Sequence, residues 1–453
     1  MKLHDGATVG IIGGGPAGAF SAYFLLEFAE RLGISLKVIV FEPKAFDCQK
    51  RRACNHCGGI VSESLVQLLS AEGICLPERV VQRGIDSYRL HCDGKVVTVR
   101  SPLSEGRLAA LHRGKGPASC NKLEAEWESF DHFLLTMAES HGAIREYSRI
   151  EAVNYDHNGC PILTTEEGKP ITVDFLIGAF GINARNQPLM DALRLQQCQP
   201  STIHASISEV FAGREVINSH YGSQMHLFWP PDPSLHFAAI IPKGHFLTVC
   251  IIGQDTSGSA MHHFLEMPEV AATLPEIKGK IPVECQCHPL MNVRAHGSPF
   301  RDRVALVGDC AVSRLYKDGI GAAYRLAKSV AMTAVFHGIS QRELEMYAGP
   351  AFNDLKRDNA YGRALFKVAE WVRQKPRLRA ALLAELQEEA CQLEHSSQSA
   401  PSEGILASLF WDLFTGSATY RDITRRGLKI KLMRKLIQQA WRAGKTFPAH
   451  KGG

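Results

Sequence analysis

The stretch TVGIIGGGPAGAFSAYFLLEFAERLGISLKVIVFE, residues 8–42, sets the organisation of the chain. Residues 8–12 are a short apolar run of strand type. GGGPAG turns the chain, and AFSAYFLLEFAERLG reads as a helix that stops at Gly33. LKVIVFE, residues 36–42, is a second apolar strand, so the order strand, glycine turn, helix, strand makes a βαβ unit. Gly13-x-Gly15-x-x-Gly18 lies between the first strand and the helix, with Pro16 and Ala17 inside the motif. In such a turn the first glycine permits the tight bend. The second lets the backbone approach a pyrophosphate, and the third lets helix and strand pack closely. The helix N-terminus offers N–H groups and a positive dipole end to the phosphates. Glu42 closes the second strand, where a carboxylate can accept hydrogen bonds from ribose hydroxyls.

A second glycine site lies far downstream in RVALVGDCAVSRLYKDGIGAAYRLAKSVA, residues 303–331. Gly308-Asp309 ends a buried strand, and Gly319-Ile320-Gly321 opens a helix. An aspartate beside a pyrophosphate can hold a ribityl chain, and a glycine-opened helix can aim its dipole at the carbonyl side of a flavin ring. Two contact regions so far apart in sequence fit the long, extended FAD better than a nicotinamide dinucleotide.

Between these sites the pattern is mixed. YRLHCDGKVVTVR (88–100) is a hairpin with Asp93-Gly94 at its turn. FDHFLLTMAESHGA (130–143) is an amphipathic helix, and ILTTEEGKPITVDFLIGAFG (162–181) is a hairpin running into a buried strand. LHFAAII and FLTVCII are strands of a further sheet, and EHSSQSAPSEG (394–404) has the composition of a linker. The chain has 453 residues, 45% of them hydrophobic and 21% charged, which suits a globular protein of two or three domains. No apolar run is long enough to span a bilayer. The N-terminus mimics a signal peptide, but Asp5 interrupts its apolar run, and its glycines belong to the turn described above. Thirteen scattered cysteines suggest a reducing compartment with mostly unbridged thiols. The net charge of +5 is unevenly placed. From Ile405 onward ten Lys or Arg face two Asp, so the body of the chain is slightly acidic and is not expected to bind nucleic acid.

The chain resembles the FAD-dependent geranylgeranyl reductase family, a branch of the flavoprotein group that includes the aromatic-ring hydroxylases. The resemblance spans roughly residues 7–335. It rests on GIIGGGPAG, VIVFE, Cys57-Gly58-Gly59, FDHFLLTMAESHGA and VALVGD followed by KDGIGAA. IIPKG (240–244) resembles the family's Pro-Lys-Gly turn, and LFTGSATYRDI (413–423) the tail of its bacterial members. It implies an α/β fold: a discontinuous Rossmann-like FAD-binding domain over 1–85, 120–198 and 299–345, a mixed β-sheet substrate domain over 86–119 and 199–298, and a helical region over 346–453. It adds Arg51, Gly58, Gly59 and Val153 to the cofactor-binding positions already read from the glycine motifs, Glu42 and Asp309. Three departures stand out. Phe180 replaces the Asp common in the hydroxylases, which weakens a hydroxylase assignment. SRLYKDGIG lacks the proline usual before the glycine helix. Trp127 stands where an arginine commonly precedes Phe130-Asp131.

RRACNHCGGIVSESL, residues 51–65, sets Cys54 and Cys57 three apart. The resemblance places Cys57 beside the substrate cavity and makes it the candidate catalytic residue, as a weak acid or as a shape element near the flavin. Packing alone, a dithiol relay with Cys54, and a metal site drawing on Cys48 remain alternatives. CQCH at 285–288 lacks zinc-finger or ferredoxin spacing, and His262, His263, His288 and His296 read as surface or core residues. Arg51 and Arg52 are placed to meet phosphate. Residues 424–445 alternate an apolar face, Leu428 to Trp441, with Lys and Arg, as a peripheral membrane helix or a packed helix would. The expected activity is reduction of C=C bonds in a long isoprenoid lipid, with NAD(P)H or reduced ferredoxin as the electron donor. The location is then cytoplasmic, with the inner membrane face as a possible contact. A flavin monooxygenase and an electron-transfer flavoprotein are the rival readings.

Overall fold

In a computed structural model the chain is described apart from residues 47–56, 103–106, 115–126, 183–186, 194, 196–199, 231, 233, 254–255, 257, 275–282, 296, 396–403 and 430–453. The readings placed on Cys48, Arg51, Arg52, Cys54, His296, most of the 394–404 linker and the tail beyond Lys429 therefore lie outside the described residues. Two compact units share the chain. Unit 1 takes Met1–Cys57, His112–Ile203 and Pro289–Asn359, and unit 2 takes Gly58–Leu111, His204–His288 and Ala360–Gly453. This division differs from the sequence boundaries at several places, two of which have a clear physical cause. Residues 58–85 fall in unit 2 because Ile60–Val61 and Val81–Ile85 both pair with Leu108–Leu111. The chain after Asn359 joins the same unit, where Trp411 stacks on Tyr88 at 5.9 Å.

Unit 1 is built on β1 (Thr8–Ile12), α1 (Pro16–Leu32) and β2 (Lys37–Phe41). Its six-stranded sheet runs in the order Phe300–Arg301, Val304–Leu306, Phe175–Gly178, β1, β2, Ile144–Glu146. All neighbours are parallel except the outermost pair, Phe300–Arg301 with Val304–Leu306. Parallel strands need crossovers and cover on both faces, which is why β1 and β2 read as unbroken apolar runs. α1 is buried along its first ten residues. Phe20 and Phe24 both meet Tyr324 of the Gly319–Met332 helix edge-on, each pair with ring centroids 5.7 Å apart. Gly33 ends α1 with φ +67°, its N–H bonding to Glu30 O at 3.0 Å. The start of α1 allows less freedom. A Cβ on Gly18 would stand 1.8 Å from the Gly13 carbonyl oxygen, closer than any side chain tolerates.

Unit 2 is a mostly antiparallel sheet whose path runs Val283–Cys287, Ser201–Phe211, Phe246–Gly253, Leu235–Pro242, Gln224–Phe228, Ser87–Cys92, Lys95–Arg100. Asp93 and Gly94 turn its last hairpin with φ +52° and +69°, the double positive φ that matches strand twist. One face packs the helices Arg214–His220, Gly258–Glu266 and Pro268–Ala271 through Ile217, Phe228, Ile240, Val249, Met261 and Phe264. On the other, Tyr88 and Phe237 meet Trp411 and Phe414 of the Ile405–Thr415 helix. Arg379, from the Pro376–His395 helix, bonds Asp93 at the hairpin turn at 2.7 and 2.9 Å. Among the described residues no helix is long and apolar enough to cross a membrane.

His91 and His226 sit side by side in the first of these faces. Nε2 of His91 is 3.0 Å from Nδ1 of His226, and His91 also stacks on Phe228 with centroids 4.5 Å apart. Tyr221 flanks His226 at 5.3 Å. Burial, with Arg89 nearby, pulls His91 down to about 4. Burial, then His91 and Arg89, pulls His226 down to about 3. The pair is therefore neutral in the folded chain, one ring donating to the other.

Two outcomes follow for stability. Gly18→Ala should abolish the folded state or lower its urea midpoint drastically, since helix and turn must separate. Gly33→Ala, which meets only open space, should cost about 1–2 kcal/mol from its left-handed backbone. A Gly18→Ala variant as stable as wild type would contradict the close approach. The histidine pair makes stability acid-sensitive. Both folded pKa values lie below the unfolded value of about 6.5, so the unfolded chain binds more protons on acidification. The contribution is complete above pH 6.5 and is lost progressively as pH falls toward 4, at up to about 1.4 kcal/mol per pH unit for each ring. Urea midpoints measured from pH 7 to 4.5 should fall less steeply in a His91→Phe/His226→Leu double variant than in wild type.

Candidate functional site

The candidate site lies in unit 1, where both glycine motifs meet. Gly13 has φ +104°, and a Cβ there would strike the Ala179 carbonyl oxygen at 2.5 Å. Gly15 is the N-cap of α1 with no side-chain bond of its own, and Pro16 occupies the first turn. The downstream motif arrives at the same spot. Gly308 has φ +70°, and its Cβ would lie 2.7 Å from Cβ of Ala17. The backbone after Val304–Leu306 thus touches the first turn of α1, which brings Asp309 to the helix N-terminus. A Cβ on Gly319 would meet Ser313 Oγ at 3.2 Å and Asp309 Oδ1 at 3.8 Å, so the second glycine helix starts beside the same aspartate.

Glu42 is 8% exposed, and its carboxylate is already engaged. Oε2 accepts the Gly14 N–H at 2.9 Å, and Oε1 accepts the Lys44 N–H at 2.9 Å. The acid therefore fixes the glycine turn from the end of β2. Each oxygen keeps a lone pair for a ribose hydroxyl. The Gly319–Met332 helix carries a feature the glycines do not announce. Its N-cap, Asp318, is left-handed at φ +52°, and Oδ1 accepts the Gly321 N–H at 3.2 Å. Burial raises the Asp318 pKa, while Arg314 and Arg325, 3.5 and 3.9 Å away, oppose the rise. Burial first, then Arg314, lowers the ammonium pKa of neighbouring Lys317 well below its usual value.

Arg113 was not singled out by the sequence pattern. It follows the Leu108–Leu111 strand and pairs in a two-pronged grip with Asp131, Nε to Oδ1 at 3.0 Å and Nη2 to Oδ2 at 2.9 Å. The Asp131 side chain is fully buried, in the first turn of the Phe130–Ser140 helix. The backbone closes the same loop, Asp131 N–H donating to Arg113 O at 3.1 Å and Phe130 N–H to His112 O at 2.8 Å. Nη2 would lie 3.4 Å from a Cβ on Gly15, so the guanidinium borders the phosphate-type turn. Burial alone disfavours its charge, but Asp131, Cys57 and Asp309 together lift its pKa above the ordinary value. Trp127, where the resemblance leads one to look for an arginine, is buried and tilts against His112 at 4.8 Å. The Phe-Asp pair was the available signal: a buried aspartate at a helix start needs a cation, and Arg113 is one strand earlier.

The structure thus gathers Gly13, Gly15, Pro16, Ala17, Gly18, Glu42, Gly308, Asp309 and Gly319 into one region, with Ile320 and Gly321 in the adjoining helix turn. Cys57 joins them through its electrostatic effect on Arg113. Gly58 and Gly59 belong to unit 2, where Gly59 O accepts the Leu111 N–H at 2.8 Å. Val153 is a core residue of a three-stranded sheet, paired with Leu163. No group of three or more metal-type side chains occurs among the described residues. Two observations suit a bound dinucleotide. Among the described residues, a Cβ on Gly15 would meet within 4 Å only Arg113 and Asp131. Asn292, 2% exposed, gives its Nδ2 to Asp309 O at 2.8 Å, yet its Oδ1 has no partner among the described residues.

No protein-family profile and no curated protein sequence matches the chain. Solved structures do. A geranylgeranyl bacteriochlorophyll reductase-like protein from Thermoplasma acidophilum aligns with a TM-score of 0.61 at 13% identity, over 94% of this chain and 99% of that one. A probable FAD-dependent monooxygenase from Pseudomonas aeruginosa aligns at 0.56 and 17% identity, over 81% and 97%. A p-nitrophenol 4-monooxygenase from Pseudomonas putida aligns at 0.55 and 13% identity, over 98% and 99%. At these identities the likeness is one of fold, and it extends to nearly the whole chain. The chain therefore shares its α/β fold, a Rossmann-like unit with a sheet unit, with these proteins.

Proposed function

We propose that the protein is an FAD-dependent oxidoreductase that reduces C=C bonds of a long isoprenoid lipid. The observation that carries the FAD reading is the contact of Gly308 with Ala17, which joins the downstream Gly-Asp to the first glycine turn. A mononucleotide or a nicotinamide dinucleotide needs only the first of these. Gly13, Gly15, Gly18 and the α1 N-terminus would hold the pyrophosphate, Glu42 the ribose, Asp309 the ribityl chain, and Arg113 would add positive charge beside the phosphates. When bound, FAD would supply hydride to one alkene carbon. The protein's contribution is to orient the chain, exclude water and keep a proton source near the second carbon. Cys57 is the candidate for that last role, since a neighbouring guanidinium stabilises the thiolate left after proton transfer. Electrons would come from NAD(P)H or reduced ferredoxin, and residues 424–445 are proposed as a contact with anionic membrane.

A monooxygenase is the second reading, favoured by the fold shared with two such enzymes. Phe180 in place of the hydroxylase aspartate speaks against it. Anaerobic turnover with a prenyl lipid extract separates the two: a gain of two hydrogens marks a reductase. One added oxygen, appearing only in air, marks a monooxygenase.

The purified protein should carry FAD that heat releases; a colourless protein that takes up none on titration would end the reading. Arg113→Met should lose FAD and also destabilise the apoprotein by about 3–5 kcal/mol, because Asp131 is left buried without its cation. An Arg113→Met/Asp131→Leu double variant should recover stability without recovering FAD affinity. Full recovery of FAD binding would make Arg113 purely structural. Cys57→Ser, compared with Cys54→Ser at equal flavin content, should be the slower variant in alkene reduction. Equal losses together with a reversible Cys54–Cys57 disulfide would favour the dithiol relay.

A further inference from the structure

From Ala360 onward the helix Gly349–Arg373 belongs to unit 2, and there it presents an apolar ridge to solvent. Three contacts fix its inward side. A Cβ on Gly362 would lie 2.7 Å from the Tyr420 ring, Phe366 meets the same ring edge-on at 5.9 Å, and Arg373 donates to Pro230 O at 2.8 Å. Gly362, Phe366 and Arg373 stand four and seven residues apart and so share one side of the helix. Tyr361, Ala364, Val368 and Trp371, spaced three, four and three, share the other. Tyr361 is 42% exposed, Val368 59% and Trp371 55%, and Ala364 is exposed between them. Single exposed apolar residues are ordinary, but several in line with an aromatic ring at each end mark a contact surface.

The charge around the ridge is one-sided. Between Ala360 and Arg377 stand Arg363, Lys367, Arg373, Lys375 and Arg377 against a single acid, Glu370. That acid is bound by the inward Arg373, Nε to Oε2 at 2.9 Å, and by Gln374 at 2.8 Å. Lys367, Lys375 and Arg377 are exposed. The helix Tyr420–Gly427, which begins against Gly362, adds exposed Arg421 and Arg425 and leads to Leu428, 69% exposed. These features select among occupants. A second copy of the chain would set these cations against each other. Four side chains on one ridge, about 15 Å long, also fall far short of the about 800 Å² a side that a stable protein interface buries. A bilayer surface needs neither matched shape nor large area. A few apolar side chains enter shallowly, Trp and Tyr rest at headgroup level, and Lys and Arg meet anionic lipid.

We propose that this ridge is a docking surface for an anionic lipid bilayer, with Tyr361, Val368 and Trp371 entering the headgroup region and Arg363, Lys367, Lys375 and Arg377 meeting lipid phosphate. It is a separate surface from the tail beyond Lys429, and it requires no flavin chemistry.

The test is sedimentation of the full chain, with flavin content recorded, on vesicles of phosphatidylcholine alone or mixed equally with phosphatidylglycerol. Wild type should bind the anionic vesicles about tenfold or more tightly than the neutral ones, and should release at about 1 M salt, where the Debye length falls to about 3 Å. Val368→Glu/Trp371→Glu should weaken anionic binding about tenfold or more and melt within a few degrees of wild type, since both side chains stand in solvent. Lys367→Ala/Lys375→Ala should weaken it about 10- to 30-fold and leave neutral vesicles unaffected. A tail variant, Leu436→Glu/Trp441→Glu, should keep a binding component that Val368→Glu/Trp371→Glu removes. No preference for anionic vesicles would overturn the proposal. So would a tail variant that loses all binding while Val368→Glu/Trp371→Glu binds like wild type. A concentration-dependent dimer abolished by Val368→Glu/Trp371→Glu would overturn it in favour of a second copy on the ridge. Anionic vesicle binding by protein that takes up no FAD would sink the flavin reading and leave this one standing, and flavoprotein that ignores vesicles would do the reverse.

Discussion

The close approach of backbone at the start of α1 is the constraint on which unit 1 depends. Gly18 lies so near the Gly13 carbonyl that no side chain fits, and Gly308 meets Ala17 from the far end of the sequence. These contacts draw the turn after β1 and the turn after Val304–Leu306 to one helix N-terminus. Their consequence is electrostatic as much as steric. With no side chains in the way, N–H groups and the positive end of α1 face the same space, where an anion is favoured. Glu42 then ties the turn to the end of β2, so the loop is held by a carboxylate as well as by packing.

Charge in this region is arranged in layers. Asp131 is buried and would be costly alone. Arg113 compensates it with two hydrogen bonds and remains close enough to Cys57 and Asp309 for each to raise its pKa. The buried aspartate therefore has a use beyond its own pairing: it keeps a cation fixed beside Gly15. At the second helix the polarity is reversed. Asp318 caps the helix with its own carboxylate and is balanced by Arg314 and Arg325. These two helix N-termini thus present different chemistry, an arginine at one and an acid balanced by arginines at the other.

In unit 2 the two faces of one sheet are packed differently. The face toward Phe228, Val249 and Phe264 is an apolar core that also encloses a neutral histidine pair, with each ring satisfied by the other. The opposite face includes Thr248, whose buried hydroxyl has no partner among the described residues. Buried polar groups cost little when paired and several kcal/mol when they are not.

Local sequence determined a good deal. The βαβ unit, the stop at Gly33, the Asp93-Gly94 hairpin turn and the helix opened at Gly319 are all set by residues adjacent in the chain. There, propensity, glycine φ freedom and apolar alternation act over a few positions. The glycine turn between β1 and α1 was legible for the same reason. Tertiary structure alone decided the rest. Arg113 and Asp131 are separated by a segment with no periodic pattern, so only folding shows that one neutralises the other. The unit boundary at Cys57–Gly58 follows from strand pairing across fifty residues. Thr248 looks like an ordinary strand threonine in sequence, and its lack of a hydroxyl partner among the described residues becomes visible only when the sheet buries it. Burial and the pairing of polar groups are properties of the packed chain, and no local pattern encodes them.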